Sequence, residues 1–245
     1  MMRLLCGLAL ILSHWIACAE EVQVAVAANF AAPMEKIVQQ FEHDSGHHVL
    51  LSFGATGKFY AQIKNGAPFD ILLAADQSTP GRLSDAAVPA TQFTYAIGSL
   101  VLWSAVPGLV DPQGSVLQHG QFRHLAIASP IDAPYGAAAM QTLQALHLVD
   151  ALSPRLVQGE SIGQAYAFVA TGNAELGFVA LSQIWDGDKI RSGSAWLVPD
   201  HLYTPLRQDA ILLKHGKNNP AALALLAYLK TASAQSVMRT YGYHF

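Results

Sequence analysis

Four short stretches place amide, hydroxyl and small residues where an apolar run gives way to a helical pattern. They are Ala28-Asn29, Phe53-Gly54-Ala55-Thr56-Gly57, Ser129-Pro130-Ile131-Asp132-Ala133-Pro134-Tyr135-Gly136 and Gly159-Glu160-Ser161-Ile162-Gly163-Gln164. Around the first, VAVAANFAAP has no ionisable side chain. A helix N-terminus presents N–H groups without partners and about half a positive charge. Four of them aimed at one cleft supply roughly two positive charges of dipole in the idealised limit. That chemistry suits a small dianion held without lysine or arginine. The competing reading is local, with Asn29, Thr56 and Ser161 each capping its own helix. Recurrence at four junctions favours a shared cleft, because ligands of open α/β sheets sit at the carboxyl ends of the strands.

Other chemistries have weaker support. Gly159-Glu160-Ser161-Ile162-Gly163 is a literal G-x-S-x-G between a strand and a helix, the context of an esterase nucleophile elbow. Asp186 or Asp209, then His215 or His244, supply acid and base in the right order. No HGGG-type oxyanion stretch precedes the serine, and the same serine turn is expected in an anion receptor. His43-Asp44-Ser45-Gly46-His47-His48 has metal-ligating residue types but lies in a polar loop, where histidines are ordinarily solvated. Lys58 is expected to face solvent from a first helical turn.

The elements that must position these junctions alternate. Val22 to Ala28 reads as a strand. Met34, Ile37, Val38 and Phe41 mark one face of a helix over 31–43. Val49 to Phe53 is a second strand, and a second helix carries Phe59 and Ile63 and closes at Asn65-Gly66-Ala67-Pro68. Phe69 to Ala75 reads as a strand buried on both faces. The βαβαβ pattern repeats with strands at 125–128, 155–158 and 176–180 and helices at 137–148 and 164–171, which predicts two similar lobes with parallel sheets. Phe93 to Trp103 is too long for an ordinary strand, and Tyr203 to Leu213 is also extended. These two segments are expected to cross between the lobes as a hinge. Helices from Pro220 to Tyr241, started by Asn219-Pro220, are expected to return to the first lobe. Trp103, Trp185 and Trp196 are expected in the core or between the lobes.

The chain has 245 residues, 52% hydrophobic and 13% charged, with a net charge of -3. That is enough for a real core in one large domain or two lobes. With no lysine–arginine cluster, nucleic acid and anionic membranes are poor partners. Residues 1–19 have a short positive start at Arg3, an apolar run from Leu4 to Ala17 and the small-x-small sequence Ala17-Cys18-Ala19. They read as a secretory signal peptide cleaved near Ala19. Cys6 and Cys18 both fall in this segment, so the mature chain has no thiol, as suits an oxidising compartment. An alternative is a lipid anchor on Cys18, from the lipobox-like Trp15-Ile16-Ala17-Cys18.

From Glu21 onward the chain resembles the periplasmic molybdate-binding proteins of ABC transporters, which are type II two-lobed solute receptors. The resembling segments are AANFAAPMEKI, GATGKFYAQIKNGAPFDILLAAD, FTYAIGSLVLWS, ASPIDAPYG, GESIGQAYAFV and LGFVAL. The resemblance implies an α/β fold with a mainly parallel sheet in each lobe and a hinge of two crossing strands. The expected lobes are 20–97 plus 204–245, and 98–203. It implies a tetrahedral oxyanion, molybdate or tungstate, held between them by Ala28, Asn29, Thr56, Tyr135 and Ile162. Main-chain N–H groups would act at Ala28, Tyr135 and Ile162, the amide NH₂ at Asn29, and the hydroxyl and N–H at Thr56.

The chain departs from the resembled family at two places. Many members carry serine at the Asn29 position, and many place a tyrosine hydroxyl where this chain reads Gly177-Phe178-Val179-Ala180. The expected partner is a membrane permease, and the expected protein is a monomer with no cofactor, no bound cation and no catalysis. Sulfate is the alternative anion, since it too only accepts hydrogen bonds. The effector domain of a transcription regulator shares the fold, but the signal peptide and the lack of a helix-turn-helix segment argue against it.

Overall fold

The computed structural model describes residues 19–245, so the signal peptide through Cys18, with the alternative lipid anchor, lies outside the described residues. The chain opens with β1 (Glu21–Ala27), a single 3-10 turn (Ala28–Phe30), α1 (Ala31–Ser45), β2 (His48–Gly54), α2 (Thr56–Lys64), β3 (Ile71–Leu73) and the short α3 (Ser78–Gly81). Then come β4 (Phe93–Gly98), β5 (Leu100–Ser104), the short α4 (Val116–His119), β6 (Leu125–Ala128), α5 (Pro134–Ala145) and α6 (Val149–Leu152). Next are β7 (Leu156–Gly159), α7 (Ile162–Ala170), β8 (Leu176–Ala180), α8 (Leu181–Ile184) and the two-residue pair β9 (Trp185–Asp186) and β10 (Lys189–Ile190). The chain closes with β11 (Ser194–Leu197), β12 (Leu206–Leu212), α9 (Pro220–Tyr228) and α10 (Ala232–Thr240).

Two five-stranded sheets organise the molecule, in the orders β2-β1-β3-β12-β4 and β11-β5-β8-β6-β7. In the first, β1 is parallel to β2 and β3, while β12 is antiparallel to β3 and β4. In the second, β6 is parallel to β7 and β8, while β5 is antiparallel to β8 and β11. Each sheet is therefore mainly parallel, with one reversed strand. Those reversed strands, β5 and β12, are the first strand each crossing of the chain enters.

The crossings are not continuous strands. Ser99 alone separates β4 from β5. The return crossing contains a 3-10 turn, Asp200–Leu202, and prolines at 199 and 205 that cannot donate to a ladder. The two lie side by side: Leu206 pairs with Gly98, and the Leu100 N–H donates to the Tyr203 hydroxyl at 3.2 Å. β3 is shorter than the apolar run 69–75 predicts. Past Leu73, the Ala75 N–H leaves the ladder and donates to Thr56 Oγ1 at 3.0 Å.

Apolar periodicity explains the packing. Met34, Ile37, Val38 and Phe41 of α1 are buried beside Val22, Val24 and Val26 of β1. The same cluster takes in Leu225 of α9 and Met238 of α10, so the last helices return to the first lobe. Asn219 starts α9 by accepting from the Ala221 N–H at 2.9 Å and the Ala222 N–H at 3.3 Å. The second lobe's core spans Leu102, Leu125, Ile127, Leu143 and Phe178, and it extends to Ala27, Ala55 and Ala75 of the first lobe. Among the tryptophans, Trp103 and Trp196 are buried in this core, while Trp185 is half-buried in β9. No helix among the described residues is long and apolar enough to cross a membrane.

Candidate functional site

The strand ends meet at one place. Ala28, Asn29, Thr56, Tyr135 and Ile162 all line a single small cavity between the lobes, with Ala75 and Pro134. The centre of a water-sized sphere can move through about 10 Å³ of it. Tyr135 is the one titratable residue on its wall. The lobes touch around it: the Gly57 N–H donates to the Asp132 carbonyl at 2.7 Å, and a Cβ on Gly163 would lie 3.4 Å from the Ala28 Cβ.

The helix starts at this cavity are mostly bare. Ala27, Ala55 and Ala133 stand at the N-cap positions before Ala28, Thr56 and Pro134, and none has a side-chain cap. First-turn N–H groups have no acceptor inside their own helix. Ser161 is the exception. Its Oγ accepts from the Gln164 N–H at 3.3 Å, which leaves the Ile162 N–H uncapped. Capping therefore explains Ser161 but neither Asn29 nor Thr56.

Thr56 is 1% exposed. Its Oγ1 already accepts from the Ala75 N–H. Its own proton is thus available to donate. Asn29 is 2% exposed, and its side chain differs from the expectation of a free NH₂. The Nδ2 donates to Gln208 Oε1 at 2.8 Å and to the Tyr243 hydroxyl at 2.9 Å, and the buried Oδ1 has no partner. The second lobe holds the Asn29 main chain, since Ser182 Oγ donates to its carbonyl at 2.7 Å.

Tyr135 and Ile162 are placed by their main chains. The Tyr135 hydroxyl turns away from the cavity to accept from Gln208 Nε2 at 3.1 Å. The Ile162 carbonyl accepts from Gln183 Nε2 at 3.1 Å, and Gln183 Oε1 accepts from the Ala180 N–H at 2.9 Å. Ala180 is fully buried and off the cavity wall, so no hydroxyl comes from that position. Burial holds the Tyr95 and Tyr135 hydroxyls well above the ordinary tyrosine range and pushes the Tyr243 hydroxyl up to about 12. All three stay protonated at neutral pH.

Residues of the other candidate chemistries are engaged elsewhere. Asp209 accepts from Thr94 and Gln92, both at 2.7 Å, His215 Nδ1 lies 2.7 Å from Asp70, and Ser161 Oγ accepts from its own helix. Among the described residues, no three His, Cys, Asp or Glu side chains could share a metal ion. His43 and His48 lie instead against Asp44 and Glu42. Lys58 is off the cavity wall and pairs with Asp132 of the other lobe at 3.5 Å.

Sequence reasoning missed Gln208, Tyr95 and Tyr243. The signal for Gln208 was weak, because Arg207-Gln208-Asp209 reads as a polar run in β12 and only the structure shows that Gln208 and Asp209 are buried.

A model of the bacterial extracellular solute-binding protein family matches residues 22–244. The molybdate-binding protein of Azotobacter vinelandii is 59% identical over 227 residues, covering 92% of this chain and 90% of that protein. The molybdate-binding protein of Rhodobacter capsulatus is 50% identical over 229 residues, covering 93% and 89%. The solved structure of the A. vinelandii periplasmic molybdate-binding protein superposes with a TM-score of 0.89. That structural alignment covers 91% of this chain and 99% of the other, at 42% identity.

Proposed function

The chain belongs to the bacterial extracellular solute-binding proteins, and we propose that it is the receptor that captures molybdate or tungstate for an ABC importer. One observation carries this reading: helix N-termini from both lobes end uncapped around a small cavity with no charged side chain. Molybdate and tungstate at neutral pH are dianions without a proton, so each oxygen only accepts. A wall of N–H and O–H donors matches them. Hydrogen phosphate carries an O–H that would be stranded, at about 1–3 kcal/mol.

The ligand-binding residues are Ala28, Tyr135 and Ile162 through their N–H groups, Thr56 through hydroxyl and N–H, and Asn29 through its amide. The lobes comprise 20–97 with 204–245, and 98–203. They close on the anion by bending where the chain crosses between them. The closed form docks on a membrane permease. The protein works as a monomer in the periplasm after cleavage near Ala19, and performs no catalysis.

A thermal-shift panel tests this. Molybdate at a hundred times its Kd should add about 2.7 kcal/mol of stability. For a chain of this size the expected Tm rise is roughly 5–11 °C. Tungstate should act alike. A larger shift with sulfate or phosphate would overturn the specificity, and no shift with any oxyanion would overturn the function.

A further inference from the structure

Behind the cavity runs a buried chain of amides and hydroxyls whose polarity does not close. Asn29 Nδ2 points away from the cavity toward Gln208 and Tyr243, neither of which lines it. The remaining amide atom, Oδ1, is buried without a partner. An unpaired oxygen at this wall would also repel a dianion. Gln208 is 0% exposed. Its Oε1 accepts from Asn29 and, at 3.0 Å, from the Tyr95 hydroxyl, and its Nε2 donates to the Tyr135 hydroxyl at 3.1 Å.

Turning both amides over exchanges oxygen and nitrogen atoms that occupy nearly the same space. Every group then finds a match. Gln208 Nε2 donates to Asn29 Oδ1 and to the Tyr95 oxygen, while the Tyr95 hydroxyl donates to the Ala74 carbonyl, already 3.1 Å away. The Tyr135 hydroxyl donates to Gln208 Oε1, and the Tyr243 hydroxyl turns its proton from the Asn29 carbonyl and Ser182 Oγ, 2.9 and 3.1 Å away, to Asn29 Oδ1. Ser182 continues to donate to the Asn29 carbonyl. The Asn29 NH₂ takes the place of the unpaired oxygen and becomes a donor at the cavity.

We propose that Gln208 is a positioning residue that fixes the Asn29 amide with its NH₂ toward the anion. It thereby helps set the preference for an oxyanion without a proton. The Gln208 amide can accept from Tyr135 and donate to Asn29 at once, which methionine of the same length cannot. Because Tyr135 belongs to the second lobe, the lock is completed when the lobes meet. The hydroxyls that read the amide are uncharged, so the arrangement holds a polarity without placing a charge beside the ligand.

The inference rests on the molybdate reading, and the test separates the two. Wild-type protein is titrated with molybdate by calorimetry beside Asn29→Ala, Gln208→Met and the double variant. Each single change should weaken binding about ten- to hundredfold, the size of one lost hydrogen bond to a charged group. The double variant should bind no more than about threefold weaker than Asn29→Ala, because Gln208 acts through Asn29. Additive losses, or wild-type affinity in Gln208→Met, would overturn the inference while leaving the receptor reading intact. A wild-type protein that binds no molybdate removes both.

If Gln208→Met does not fold, the wild-type side-chain amide spectrum decides. The Asn29 ¹⁵N–¹H pair, identified by its loss in Asn29→Ala, should shift on molybdate addition. A pair that stays in place while main-chain signals move would overturn the inference.

Discussion

The two walls of the cavity start from the same local design, a buried strand handing over to a helix, yet they offer donors of different kinds. Beside the main-chain N–H groups of Ala28 and Thr56, the first lobe offers side chains: Thr56, whose hydroxyl is primed by the Ala75 N–H, and Asn29, whose amide is gripped by Gln208 and Tyr243. The second offers main chain. The Tyr135 hydroxyl is turned to Gln208, and Ile162 has no polar side chain. One wall can be retuned by a single substitution, whereas the other can be altered only by moving a helix. Dipoles fixed in this way hold a dianion without a counter-ion that must be desolvated.

The largest effect should come from keeping the walls apart. A Cβ at Gly57 would lie 2.9 Å from the Asp132 Cα across the cleft. Gly57→Val should therefore obstruct closure while leaving each lobe folded. Molybdate affinity is expected to fall about a hundredfold, the upper end of an overpacking cost of 1–3 kcal/mol. The ligand-free melting temperature should barely move. Tight binding in this variant would mean that the walls need not meet.

A smaller effect isolates the first lobe's side chains. Thr56→Val keeps the shape but removes both the donated proton and the acceptor for the Ala75 N–H. Calorimetry should show about a tenfold loss of molybdate affinity, and thermal melts a lower stability. Thr56→Ser should restore both. Equal affinity in valine and serine variants would break the distinction between the walls.

The smallest effect on the ligand belongs to Ser161, whose side chain serves its own helix. Ser161→Ala should cost about 1 kcal/mol of stability, as capping losses do, and change molybdate affinity less than about twofold. Loss of binding without loss of stability would make Ser161 a ligand group instead.

Much of the fold was legible because its signals are local. The Met34-Ile37-Val38-Phe41 face, the strand 125–128 and the Asn219-Pro220 start are each written in neighbouring residues and appear in the structure. The convergence of the four junctions was legible through the repeated strand-to-helix pattern. The break at Ser99 was not, because apolar residues continue on both sides and only the change of sheet shows it. The grip on Asn29 was hidden for a similar reason. Gln208 and Tyr243 lie 179 and 214 positions away in the chain, and only the sheet order, which sets β12 beside β3 and the chain end beside β4, brings them together.

The central claim is that fixed donors, with no titrating side chain, hold the anion. Calorimetry of molybdate binding at about pH 7, in two buffers of different ionisation enthalpy, tests it most directly. The expected result is the same binding enthalpy in both, with no proton taken up or released. A difference corresponding to about one proton per anion would show that a charged or charging group completes the site, and would contradict the account.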